Sequence, residues 1–138
     1  MSSERLARHA DLSAEPPDKK EFDGLVRSGL ERLGDAEREA NSVDGRFDLA
    51  YNAGHALSLA ALRYHGYRSS NRYVVFQVLP DTLGVGPEVW RILDKAHKMR
   101  NRSEYEGAID VDATLLRDLI AACRTIAAAI AALPPLQR

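Results

Sequence analysis

Residues 47–67 read FDLAYNAGHALSLAALRYHGY, and this stretch decides the fold. Its apolar residues do not alternate with a period of two; Ala, Leu and Gly run almost all the way round a 3.6-residue helix. A helix apolar on nearly every side is a buried one. Its small residues let neighbouring backbones come close, so it reads as the central helix of a bundle, from about Val43 to His65. Gly66 then stands where a helix end favours glycine.

The flanking segments repeat the helical period. A first core helix is expected from about Asp18 to Asn41, with Phe22, Leu25, Val26, Leu30 and Leu33 inward and Gly24, Gly29 and Gly34 weakening it. A third helix, from about Ser70 to Leu79, carries NRYVVFQVL, whose β-branched residues would suit a strand but have no second strand to pair with. Pro80 to Gly86 reads as a loop, and Pro87 opens a fourth helix with Val89, Ile92, Leu93, Ala96 and Met99 as its stripe. The fifth helix runs from about Ala113 to Leu133, with Leu116, Leu119, Ile120, Cys123, Ile126, Ala127 and Ile130 inward. Asp110 or Asp112 caps it, and Pro134-Pro135 stops it. The expected architecture is all-α, an up-and-down bundle of about four to five helices. Residues 18–138 form the domain, after a polar lead-in over 1–17 that is free to be flexible.

The bulk numbers exclude several classes. With 138 residues, 45% hydrophobic and 28% charged, the chain suits one soluble domain. No apolar run is long enough to span a membrane, and the N-terminus lacks the apolar core of a secretory signal, which points to the bacterial cytoplasm. One cysteine, Cys123, excludes an internal disulfide and a cysteine-rich metal site. The net charge of −1 hides an asymmetry: residues 61–102 carry eight Lys/Arg against three Asp/Glu. A basic middle on an acidic frame attracts a polyanion locally, provided that the charges share a face.

The fourth helix closes with KAHKMRNRSEYEG, residues 95–107. At about 100° per residue with His97 at the origin, Arg100 falls at about 300°, Glu104 at about 340° and Asn101 at about 40°. These four share a sector bordering the apolar stripe, and Arg100 lies on the stripe itself. An arginine there must reach a carboxylate, a neighbouring subunit or a ligand anion, because an unpaired buried charge is expensive. A plain Arg100–Glu104 pair at i,i+4 is the alternative. On the central helix, Tyr51, Asn52 and His55 also share a face; a satisfied core histidine is the plain reading of His55.

The order of FDLAYNAGHALSLAALRYHGY, GYRSSNRYVVF and MRNRSEYEG resembles the HEPN superfamily of small helical domains, over about Asp44 to Leu133. Many members carry an arginine, a polar residue that is often Asn, and a histidine little more than a helical turn further on. Arg100-Asn101 matches the first half of that motif. The resemblance implies a homodimer with both motifs lining one cleft. It also implies metal-independent RNA cleavage, frequently as the toxin of a toxin–antitoxin or defence pair, or nucleotide binding beside a minimal nucleotidyltransferase partner. It implies no metal and no cofactor. Such cleavage needs proton transfers and charge stabilisation, suited to histidine and arginine respectively.

The chain departs from the motif where Tyr105 replaces the histidine, and no histidine follows. A tyrosine with pKa of about 10 is a poor base at neutral pH, although it can donate a proton or stack on a base. Either Tyr105 takes another role, or His97 or His55 supplies the imidazole, or the site only binds. The candidate catalytic residues are thus Arg100, Asn101, Tyr105 and His97. Arg102, Glu104, Lys98, His55 and Tyr51 are candidate binding residues.

Overall fold

Short polar side chains start the helices that the periodicity predicts. Asp18 accepts from the Lys20 amide, Ser42 from Gly45, Asn71 from Val74 and Asp112 from Leu115, each satisfying an amide of a first helical turn. The computed structural model describes residues 2–106 and 112–136, the side chains of residues 2, 3 and 102–106 excepted. In chain order the elements are α1 (Ser2–Arg8), β1 (Ser13–Ala14), α2 (Lys19–Ala36), α3 (Val43–Tyr64), β2 (Tyr67–Arg68), α4 (Arg72–Gln77), α5 (Leu79–Leu83), α6 (Pro87–Glu106) and α7 (Ala113–Ala131). The result is an all-α helical bundle in which α3 touches α2, α4, α5, α6 and α7.

Two glycines set how closely the helices approach. A Cβ on Gly54 of α3 would lie 2.5 Å from Leu93 Cδ2 of α6 and 3.2 Å from Cys123 Sγ of α7. A Cβ on Gly29 of α2 would lie 2.7 Å from Leu57 Cγ of α3. The core around these contacts includes Leu33, Phe47, Tyr51, Leu57, Phe76, Leu93, Leu119 and Ile126. His65 caps α3, and Gly66 adopts the left-handed φ of 87° that turns the chain into β2.

Three expectations are corrected. Leu30 is not inward: it is 41% exposed, and Gly29 takes the contact with α3. The third helix and the loop after it become two short helices, because Pro80 lacks an N–H and fits only a first turn. The chain therefore breaks at Val78, whose carbonyl accepts from Asp81 and Thr82, and Pro80 to Leu83 is helical rather than loop. The lead-in is not outside the core. Leu6 of α1 is buried with Leu62, Val74, Val75 and Val78, and β1 pairs antiparallel with β2.

An ion network built around one buried arginine holds that lead-in down. Arg63 is 1% exposed; it donates to Glu21, to the carbonyls of Glu15 and Pro16, and to that of Tyr67. Arg68 joins Glu15 and Glu21 from β2. Its guanidinium and that of Arg63 hold the Glu21 carboxyl below the usual carboxylate range.

Packing, helix propensity and charge each give an outcome for stability. Gly54→Val should lose about 1–3 kcal/mol by overpacking against Leu93. Gly24→Ala, where an added Cβ meets nothing within 4 Å, should instead gain about 0.5–1 kcal/mol of helix propensity; denaturant midpoints check both signs. Because the folded-state pKa of Glu21 is lowered, the unfolded chain binds the extra proton. The stability it contributes is present above the ordinary carboxylate pKa and is lost as the pH falls through the folded value. Glu21→Gln should therefore be less stable than the parent at pH 7 and flatten its decline as the pH falls below the ordinary carboxylate pKa.

Candidate functional site

Helix α3 is closed on most of its circumference. Between Phe47 and Arg63 the positions left at least partly open are Asp48, Leu49, Asn52, His55 and Leu59. Leu49 packs on the main core. The other four fall within a strip about 60° wide at about 100° per residue. Tyr51 borders that strip, fully buried, and polar side chains from α4 and α6 meet there.

Tyr51 is the nucleus of the cluster. Its hydroxyl lies 2.7 Å from His97 Nδ1 of α6, with the two rings stacked at 6.0 Å. The hydroxyl donates when the imidazole carries its proton on Nε2, and accepts when Nδ1 carries it. Arg72 of α4 donates from Nη1 to the same oxygen at 3.2 Å. The guanidinium carbons of Arg72 and Arg100 stand 5.6 and 5.1 Å from the Tyr51 ring centroid, within cation–π range. Arg100 also pairs with Asp48 at 3.3 Å, but Asp48 is 54% exposed, so water screens that contact.

Phe76 of α4 floors the cluster, with its ring 6.1 Å from Tyr51, 6.0 Å from His55 and 6.3 Å from His97. Burial pushes the His55 pKa down to about 4, helped by the nearby charges of Arg72, His97 and Arg100. His55 is therefore neutral at pH 7. One turn past His97, the Asn101 amide lies 3.4 Å from its Nε2. The assembly is a half-buried, positively biased cluster that holds an oriented imidazole. That combination suits an anion with a proton to exchange.

The structure thus brings together His97, Arg100, Asn101, Tyr51 and His55 of the sequence-derived candidates. Lys98 is not part of the group: it pairs with Asp94 at 3.0 Å and stays largely exposed. The side chains of Arg102, Glu104 and Tyr105 lie outside the described residues, as does the Arg100–Glu104 alternative. Asn52 turns back onto its own helix, donating to the Asp48 carbonyl. Arg72, Asp48 and Phe76 were not among the candidates. Asp48 was within reach of sequence reasoning, since it precedes Asn52 and His55 at i,i+4 and i,i+7 on one helical face. Arg72 and Phe76 had no such signal, because only the packing of α4 across α3 delivers them. Among the described residues, no group of three or more His, Cys, Asp or Glu is placed to hold a metal ion.

No protein-family model matches the chain, and comparison with curated proteins and with solved structures finds no similar protein.

The depressed His55 pKa has a direct readout. An NMR titration should show its imidazole protonating near pH 4; protonation between pH 6 and 7 would contradict its burial near these charges. The unfolded chain takes that proton first, so the contribution of His55 to stability is full above about pH 6.5 and is lost as the pH falls towards 4. His55→Asn should remove that part of the pH dependence.

Proposed function

We propose that this chain binds the phosphate of RNA or of a nucleotide at the Tyr51-centred recess, as an HEPN-like protein. The observation that carries the reading is the convergence of the Arg72 and Arg100 guanidiniums and the His97 imidazole on one buried tyrosine. Guanidinium forks match phosphate oxygens, and Arg72 meets a neutral hydroxyl here rather than a carboxylate. The Arg100-Asn101 half of the HEPN-type motif lies in the same recess.

Metal-independent cleavage is the second reading, favoured by the 2.7 Å contact that orients His97. In that reaction the ribose 2′-OH loses its proton and attacks phosphorus, the P–O5′ bond breaks, and O5′ takes up a proton, leaving a cyclic phosphate and a free hydroxyl. The protein's part is to hold the phosphate between guanidiniums and to move a proton at the His97 imidazole. His55 cannot act as the acid at neutral pH, since its pKa of about 4 leaves it without the proton. In the HEPN-like frame the active form is a homodimer whose two recesses share a cleft, in a toxin–antitoxin or defence setting.

Arg72→Ala and Arg100→Ala should each weaken binding of a short RNA by about 1.5–3 kcal/mol, the worth of a charged hydrogen bond, with helical circular dichroism intact. Each should also flatten the salt dependence of binding by about one unit of slope. Arg100→Lys should restore only part of the affinity. His97→Gln should retain binding and abolish any cleavage seen with chelator present. Unchanged RNA affinity with a lower melting temperature would make both arginines structural partners of Tyr51 and Asp48, and the proposal would fail.

A further inference from the structure

Beside the recess stands an aromatic pair that the phosphate reading leaves unused. Tyr73, next to Arg72 on α4, is 38% exposed, although large apolar side chains are mostly buried in this chain. Its ring meets Trp90 of α6 edge to face, at 6.0 Å and 88°. The Arg91 guanidinium lies 5.9 Å from the Trp90 ring centroid, so a third cation stands at this end of the site.

The pair is in line with the recess. Trp90 and His97 lie on one face of α6, about 20° apart in azimuth and about 10 Å apart along the axis. That separation equals about three steps of a stacked nucleic-acid strand. On α4 the adjacent residues Arg72 and Tyr73 divide between the two places: Arg72 reaches the Tyr51 hydroxyl, and Tyr73 stands at Trp90.

We propose that Tyr73, buttressed by Trp90, is a base-stacking platform for single-stranded RNA whose phosphate sits on Arg72 and Arg100. The inference rests on the phosphate reading and narrows it from any nucleotide to a strand with unpaired bases. Stacking on an open aromatic face is sequence-tolerant, and it requires bases that are free to leave a duplex. Edge-to-face packing against Trp90 fixes the Tyr73 ring beforehand, so little side-chain freedom is lost on binding. The neighbouring arginines supply the charge that a strand arriving at this face needs.

Trp90 is the only tryptophan, so its fluorescence reports on the platform directly. The full chain is titrated with a short oligouridylate, with the same strand annealed to its complement, and with ribose 5-phosphate, which has no base. The single strand should change Trp90 emission, whereas the duplex and ribose 5-phosphate should not. Tyr73→Leu should weaken binding of the single strand roughly tenfold, within the range for loss of one stacked base. Tyr73→Phe should restore parental affinity, and ribose 5-phosphate should bind all three proteins equally. If the strand binds and Arg72→Ala weakens it, but Tyr73→Leu matches the parent, the platform is overturned and the phosphate reading stands. If neither the strand nor ribose 5-phosphate binds, both are overturned. If Tyr73→Leu alters the molar mass seen by light scattering while RNA affinity stays fixed, Tyr73 belongs to a contact between copies, and the platform is again overturned.

Discussion

The close approach of α3 to its neighbours is the constraint on which the rest depends. Gly54 lets α6 and α7 close on the central helix, and Gly29 lets α2 do so from another direction. Once those sides are occupied, α3 keeps one strip uncovered, bearing Asp48, Asn52, His55 and Leu59. Polar groups on that strip need no burial elsewhere, and the packing geometry decides which side chains of α4 and α6 reach it. The cluster is therefore a consequence of helix spacing rather than a separate construction. A shift of α6 outward would separate His97 from Tyr51 as surely as it would open the core.

The cluster on that strip is costly by the ordinary accounting of stability. Two guanidiniums and two imidazoles crowd around one tyrosine, and burial, helped by the charges beside it, depresses His55. Cation–π contacts, hydrogen bonds to the Tyr51 hydroxyl and the Arg100–Asp48 pair offset part of the repulsion, each worth on the order of 1 kcal/mol or less. Hydrophobic residues at these positions would pack without that repulsion. The proposed anion binding rests on this concentration of like charge at a half-buried place. The contrast within the molecule is instructive. Arg63, a fully buried arginine, is surrounded by two carboxylates and three backbone carbonyls, so its role is structural.

How much of this was legible in the sequence varied with the range of the interaction. The long helices followed from periodicity and caps, because both are local: Asp18, Ser42 and Asp112 announce their helices within one turn. The split at Pro80 was readable in principle, since proline in a first turn is a start signal as well as a break. The buried role of the N-terminal segment was not. Leu6 is one apolar residue among charged neighbours, and its partners lie in α3 and α4. At the site, the faces of α3 and α6 could each be drawn alone, but their facing across Tyr51 and His97 spans 46 positions of sequence. No local pattern encodes which face of one helix meets which face of another.

The N-terminal segment also bears on the site through the residues that hold it. Arg63 ties the carbonyls of Glu15 and Pro16 to that of Tyr67, and β1 pairs with β2 at Tyr67 and Arg68. From β2 the chain passes almost directly into α4, whose first residue is Arg72. Leu6 packs beside Val74, Val75 and Val78 of the same region. The position of Arg72 over Tyr51 is thus set from both sides: Phe76 anchors α4 to the main core, and the strapped lead-in covers its other face. A guanidinium is useful to a ligand only if its backbone is fixed before the ligand arrives. Here the Arg63 ion network supplies that fixity from a segment whose composition, read alone, gives no hint of it.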